Sequence, residues 1–433
     1  MSDALEKRVM KKISWRIIPF IMLLYFIAFL DRVNVGFAAI HMNEDLGFTP
    51  AIFGFGAGLF FIGYFFFEVP SNLALERFGA RIWIARVMLT WGLISGAMAF
   101  VQGATSFYIL RFLLGAAEAG FFPGIILYLS YWFPAKSRAQ VTALFMAAAP
   151  ISVALGSPIS GALLEMDGLM GWHGWQWMFV LEAIPALALG VVVLFYMTDR
   201  PEKAKWLEAD EREWLSNTMN AERAAKDKAG ASHSILKGLT DIRVLALALV
   251  YFGTSAGLYT LGIWAPQMLH ALGLTSFQTG LVNAIPPIFA VVAMYLWSRH
   301  SDRTGERTWH VTLACAAAGL GLFFAGFAVS LVAVVLALVL VNAGVSAAKP
   351  PLWSMPTLFL SGSAAATGIA TINSLGNLGG FVGPYVIGLI KSKTGSFEYG
   401  LYFVGGLLIL SAVMTLIIAR STRKQADAIA SAH

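Results

Sequence analysis

Five charged side chains stand where a hydrocarbon layer belongs. Asp31 and Arg32 close a first apolar run, Arg111 and Glu118 lie on a fourth, and Lys349 is set among Ala347, Ala348, Pro350 and Pro351 on a tenth. An ionised group near a bilayer centre costs at least about 2.5 to 3.5 kcal/mol, so each invites a partner or a task. Seven residues separate Arg111 from Glu118, almost two turns, so both project from one face of one helix. A guanidinium takes a carboxylate through two parallel hydrogen bonds, a geometry that lysine does not reproduce. Glu118, deep and partly desolvated, is suited to exchanging a proton. Lys349 is too deep to snorkel with ease. The same residues also fit a structural reading, in which Asp31 pairs with Arg111, a neighbouring helix satisfies Glu118, and Lys349 is the counter-ion of some membrane acid.

The elements that hold these groups are membrane spans. Of the 433 residues 58% are hydrophobic and only 12% charged, more apolar side chain than a water-soluble core can bury. Apolar runs recur at 17–29, 52–67, 179–197, 311–345 and 401–419, among others, each near the length a helix needs to cross roughly 30 Å of hydrocarbon. The run at 311–345 is too long for one crossing, and Ser330 marks the turn between two. About twelve spans follow. On an outward-running first helix, Asp31 and Arg32 lie roughly 22 to 24 Å from the inner end. On an inward-running fourth, Arg111 lies roughly 9 Å and Glu118 roughly 20 Å below the outer surface.

Basic residues gather in the amino-terminal segment (Lys7, Arg8, Lys11, Lys12, Arg16), at Arg77 and Arg81, at Lys136 and Arg138, after Arg200, and at Arg299, Arg303 and Arg307. Lys391 and Lys393 are the exceptions. This asymmetry predicts a multi-pass protein of the cell inner membrane with both termini and the central loop cytoplasmic. The basic clusters at span ends account for the net charge of +6, so nucleic acid is not an expected partner. The amino-terminal basic cluster before an apolar run could be mistaken for a signal peptide; the later spans argue against cleavage. Residues 198–240 form the one long polar segment, dividing an amino-terminal bundle at 1–197 from a carboxy-terminal bundle at 241–433. Within it Trp206, Leu207, Trp214 and Leu215 fall about two turns apart, as in an amphipathic helix on the inner leaflet or a solvated linker. Cys315 is the sole cysteine, which excludes a disulfide framework or a paired-cysteine metal site.

Glu76-Arg77-Phe78-Gly79-Ala80-Arg81 follows the second span, and Asp302-Arg303-Thr304-Gly305-Glu306-Arg307 follows the eighth. An acid, two arginines and a turn glycine at equivalent places mark a parallel internal repeat whose charges can bridge helix ends in one conformation and release them in another. The repeated loop resembles the signature of the major facilitator superfamily, although Glu76 stands where Asp is usual and Asn72 replaces the first Gly. That resemblance implies an all-α membrane protein of two pseudo-symmetric six-helix bundles around a midplane cavity, usually working as a monomer. Phe29 to Asn34, Glu68 to Asn72, Arg111 to Gly124 and Asn373 to Gly380 together resemble the anion:cation symporter family, which includes carriers for tartrate, hexonates, hydroxyphenylacetate and phthalate. The resemblance implies that Asp31 and Glu118 couple protons and that Arg32 and Arg111 serve the anion or its coupling network. Pseudo-symmetry would set Lys349 across the cavity from Arg111, and two cations on opposite walls suit two carboxylates.

Tyr64, Tyr259, Trp353 and the amide pair Asn373 and Asn377 complete the expected cavity, although packing explains each aromatic as well. Glu68 and Glu182 read as structural, Glu68 through the Arg77 loop, and Arg86 as a snorkelling side chain. The expected function is proton-coupled import of a small organic anion, a dicarboxylate such as phthalate or tartrate. The nearest rival is a proton-driven multidrug exporter of the same fold, which would favour a greasy cavity with acids over Arg32, Arg111 and Lys349. No zinc-protease helix, phosphate loop or converging nucleophile and base points to an enzyme, a cofactor or a metal.

Overall fold

The computed structural model describes residues 2–228, 240–356 and 362–430. Among them eleven helical stretches are long and apolar enough to cross a membrane. The first six spans are Ser2–Val33 continued by Val35–Asp45, Pro50–Phe78, Ala80–Ala97, Ala104–Glu118 continued by Phe121–Trp132, Ala135–Leu164 and Gly174–Tyr196. The seventh to tenth are Ile242–His270, Ser276–Asn283 with Ile285–Thr304, Thr308–Phe327 and Leu331–Ser354. Gly362–Asn377 with Gly379–Thr394 runs beside them as an eleventh, and Glu398–Ala430 is the twelfth. Helices are the form in which a chain in lipid satisfies every backbone group within one segment. Ser330 does separate two spans: its hydroxyl accepts the Ala333 N–H at 3.3 Å and caps the tenth.

Spans one to six pack together, as do seven to twelve. Between the halves, the ends remote from the amino terminus meet with almost no side chain between them. A Cβ on Gly36 would lie 2.5 Å from the Gly262 carbonyl, one on Gly54 2.6 Å from that of Pro384, and one on Gly161 2.5 Å from that of Ser276. Small residues allow this approach where hydrophobic driving force between helices is weak.

Pro286 and Pro287 lack the N–H that would continue the eighth span, which is interrupted at Ala284 without leaving helical dihedrals. The fourth span breaks more sharply. Ala119 is extended at ψ 134° and Gly120 is left-handed at φ 84°, immediately after Glu118. A carboxylate therefore ends one half-helix in the middle of the bundle.

The central segment corrects the sequence reading. Trp206 and Leu207 precede the helix Ala209–Lys228, and their apolar surface is spent on protein. Trp206 stacks on Trp132 with centroids 5.4 Å apart, and Leu207 and Leu215 are buried in the amino-terminal core. Arg8 and Lys12 clamp the helix through Asp210 at 2.6 Å and Glu211 at 2.8 Å, and Arg138 reaches Glu222 at 2.8 Å. Residues 229–239 of this segment lie outside the described residues.

Candidate functional site

Adjacent residues on a helix point about 100° apart, and Asp31 and Arg32 separate accordingly. Asp31 turns into the amino-terminal bundle, where one carboxylate oxygen accepts the Trp91 indole N–H at 2.9 Å and the other has no hydrogen-bond partner. Arg32 turns toward the other half. Its guanidinium forms a buried ion pair with Glu118 and donates to the Tyr259 hydroxyl of the seventh span at 2.9 Å. The rings of Phe60 and Tyr64 lie 5.2 and 5.5 Å from it and supply the negative face that a desolvated cation prefers. Tyr259 in turn packs on Phe61, centroids 4.3 Å apart. One arginine therefore joins the broken fourth span, the second span and the opposite bundle.

Arg111 is placed differently from the expectation. It is 1% exposed, keeps to the amino-terminal half, donates to the Ala57 carbonyl at 2.9 Å and lies 5.2 Å from the Phe60 ring. No Asp31 to Arg111 ion pair forms among the described residues, and the acid that satisfies a neighbouring cation is Glu118, with Arg32. The reason is geometric: the Arg32 side chain, not that of Arg111, lies over the helix break where Glu118 ends its segment.

Lys349 meets no carboxylate among the described residues, so the counter-ion reading has no acid to name. It is only partly buried, and the charge of Arg32 on the opposite half acts on it. Trp353, one turn on, rests edge-on against Tyr251 at 4.9 Å with its indole N–H unpaired. Asn373 and Asn377 are both buried, and of the two only Asn373 has a side-chain hydrogen bond among the described residues: its amide donates to Glu68 at 2.5 Å, with the Ser374 hydroxyl on the other oxygen of Glu68 at 3.1 Å. Glu68 thus crosses to the eleventh span instead of tying to the Arg77 loop. Glu182 has both oxygens satisfied within its own half, by Asn34 at 2.9 Å and Ser160 at 2.6 Å.

The two signature loops turn on Gly79 at φ 87° and Gly305 at φ 66°, where a side chain would be strained. They close by different means. Asp302 pairs with Arg307 at 2.7 Å, and Arg307 also reaches the Ser301 hydroxyl at 2.8 Å. Glu76 and Arg77 are exposed, with Arg77 over the Phe78 ring, and Arg303 is exposed too. The acid that closes the first loop is Asp199, past the sixth span, which accepts the Arg81 backbone N–H at 2.9 Å and leaves no room for a Cβ on Gly79. Sequence reasoning missed Asp199 because it sits outside the repeat; its place just beyond the sixth span was the available signal.

A family model described as Major Facilitator Superfamily matches residues 21–384. A protein of Agrobacterium vitis named provisionally as a tartrate transporter is 70% identical over 99% of this chain and 99% of its own length. A quinolone resistance transporter of Acinetobacter baumannii is 41% identical over 97% of each. In fold, the chain is similar to a bacterial homolog of the human lysosomal transporter Spinster, solved in an inward-facing and occupied conformation, with a TM-score of 0.75 and 14% identity over 93% of this chain and 96% of that one.

Proposed function

The chain belongs to the Major Facilitator Superfamily and is a multi-pass membrane transporter, not an enzyme; from that premise we propose that it imports a small organic dianion, tartrate before phthalate, together with protons. The observation that carries the reading is the pair of cations on opposite halves, Arg32 held by Glu118 and Lys349 held by no acid among the described residues. One carboxylate of the cargo goes to each. The provisional name of the Agrobacterium relative supports tartrate over phthalate.

Glu118 supplies the coupling. While ionised it occupies Arg32; a proton on Glu118 releases the guanidinium to a carboxylate of the cargo, so the site charges with cargo and proton together. Asp31, the residue before Arg32, is the second proton carrier. A dianion entering against about 100 mV, negative inside, costs roughly 4.6 kcal/mol at about 2.3 kcal/mol per charge, and two accompanying protons cancel that charge. The halves then rock about the bound cargo, with the loops at Gly79 and Gly305 making and breaking contacts at the cytoplasmic face. The carrier works as a monomer in the inner membrane, termini inside. Arg111, tied to the Ala57 carbonyl, supports the field around Glu118 and meets cargo only if the second span shifts.

The Acinetobacter relative favours one second reading, export of a quinolone-like drug. Proteoliposomes given labelled tartrate, phthalate, a hexonate, hydroxyphenylacetate or a quinolone, with and without an inward proton gradient, separate the two. Gradient-driven accumulation of a dicarboxylate is the expected result. Outward movement of the quinolone with proton entry, and no acid accumulating, would replace the importer with the exporter.

A further inference from the structure

Glu68 is a carboxylate buried between the halves, 4% exposed, that the transport cycle above does not use. It lies on the face of the second span that also carries Phe60 and Tyr64, at i−8 and i−4, the rings beside Arg32. Both oxygens are engaged from the eleventh span, by the Asn373 amide at 2.5 Å and the Ser374 hydroxyl at 3.1 Å, and the charge of Arg32 acts on it as well. A hydroxyl and an amide converging on two carboxylate oxygens is what a binding site for a carboxylic or hydroxy acid looks like. Here the protein's own acid fills it.

We infer that Glu68 is an internal placeholder for a cargo carboxylate, and that an arriving anion must displace it from Asn373 and Ser374. The arrangement parallels the other end of the site, where Glu118 occupies Arg32. Two carboxylates of the protein stand where two carboxylates of a cargo would, and both belong to the amino-terminal half. The buried donors keep a partner throughout the exchange, and the displaced Glu68 takes a proton or water in their place. The exchange also sets specificity: the cargo carboxylate given above to Lys349 is the one that takes Asn373 and Ser374, so a cargo with a single carboxylate can take Arg32 or this second site but not both. The Glu68 bond spans the two halves, so its displacement also removes one tie between the second span and the eleventh and links cargo entry to movement of the halves. The inference rests on the dicarboxylate reading of the same site.

A double-mutant cycle on the purified carrier tests it, with tartrate and phthalate as probes and binding followed by calorimetry. Glu68→Gln keeps the shape but leaves a neutral acceptor, roughly half as strong, and is expected to tighten binding about tenfold. Asn373→Ala is expected to cost under about threefold in the parent, where its amide is gained from the cargo only by losing Glu68, and about tenfold or more in the Glu68→Gln background. If Asn373→Ala costs the same in both, Glu68 acts through its charge alone and the placeholder is wrong. Unchanged or weaker binding by Glu68→Gln overturns it equally. If neither diacid binds the parent or Glu68→Gln, the dicarboxylate reading falls and takes the placeholder with it. Glu68→Ala, which also frees both donors, is expected to tighten binding in the same direction and serves if Glu68→Gln does not fold.

Discussion

Four carboxylates, Asp31, Glu68, Glu118 and Glu182, are buried in the spans of the amino-terminal half, with Arg32 and Arg111 among them. In the carboxy-terminal half Asp241, Asp302, Glu306, Glu398 and Asp427 all stand at or near span ends, and the interior offers Lys349, amides and hydroxyls instead. The two halves share a span plan and a signature loop but not a chemistry. The loops keep the turn glycine in both halves and close through different acids. On the proposed function, coupling needs one cluster whose charge can change, and a second titrating cluster in the facing half would add desolvation cost without adding a driving ion. That reading keeps the titrating groups in one bundle and gives the other fixed donors for the cargo.

The largest expected effect removes the titrating side. Glu118→Gln leaves Arg32 without its acid and removes the proton carrier, so gradient-driven accumulation of tartrate is expected to fall about 100-fold or more, while exchange at equal pH persists in part. Unchanged accumulation would end the assignment of coupling to this half. Next comes the fixed side. Lys349→Ala is expected to lower diacid uptake about tenfold to a hundredfold and to spare a monocarboxylate within about threefold, the range of one charge-assisted hydrogen bond. Equal loss for both acids would mean that Lys349 holds structure and not the second carboxylate.

How far the sequence could carry this division depends on what decides each contact. Spans follow from apolar length, which is local, so even the Ser330 turn inside the run at 311–345 was legible. Rise per residue is fixed, so a sequence gives the spacing of Arg111 and Glu118 along one helix, but it set Arg111 and not Glu118 level with the end of the first span, where Arg32 meets Glu118. Rotation was not legible. Whether Asp31 or Arg32 faces the opposite half depends on packing against Trp91 and Tyr259, residues 60 and 227 positions away in the chain. The same limit hid the Glu68 to Asn373 bond, 305 positions apart, and the seating of Trp206 on Trp132. An amphipathic pattern tells that a face will be covered, not by what.

The signature loops give a finer comparison, since the repeat predicts equal roles for Glu76 and Asp302 and the structure does not. Asp302→Ala breaks the pair with Arg307, and Asp199→Ala removes the acceptor for the Arg81 N–H. Each is expected to slow uptake by about threefold to tenfold. Glu76→Ala, exposed and without an ion pair among the described residues, should stay within about twofold. Initial rates of tartrate uptake decide the order. A Glu76 effect as large as that of Asp302 would mean that the first loop closes through its own acid in another stage of the cycle.

The smallest effect concerns the linker, which leans on the amino-terminal half. The Glu211 side chain is 1% exposed against Lys12 and Arg8. Burial pushes its carboxyl upward, but the hydrogen bond from Lys12, the Glu208 backbone N–H and the charges of Lys12 and Arg8 outweigh that and leave it below its ordinary value. A carboxyl lowered in the folded state stabilises the docked helix at pH above its unfolded value, roughly 4.3, and loses that contribution as pH falls through the folded value. Undocking in acid should therefore expose Trp206 and Trp214, seen as a fluorescence shift, and make the linker sensitive to a protease. Glu211→Gln should abolish the part of that pH dependence lying below the ordinary carboxylate range, with tartrate transport at neutral pH little changed. An identical acid profile in parent and variant would place the acid-sensitive contact elsewhere, at Arg138 with Glu222 or Lys136 with Glu6.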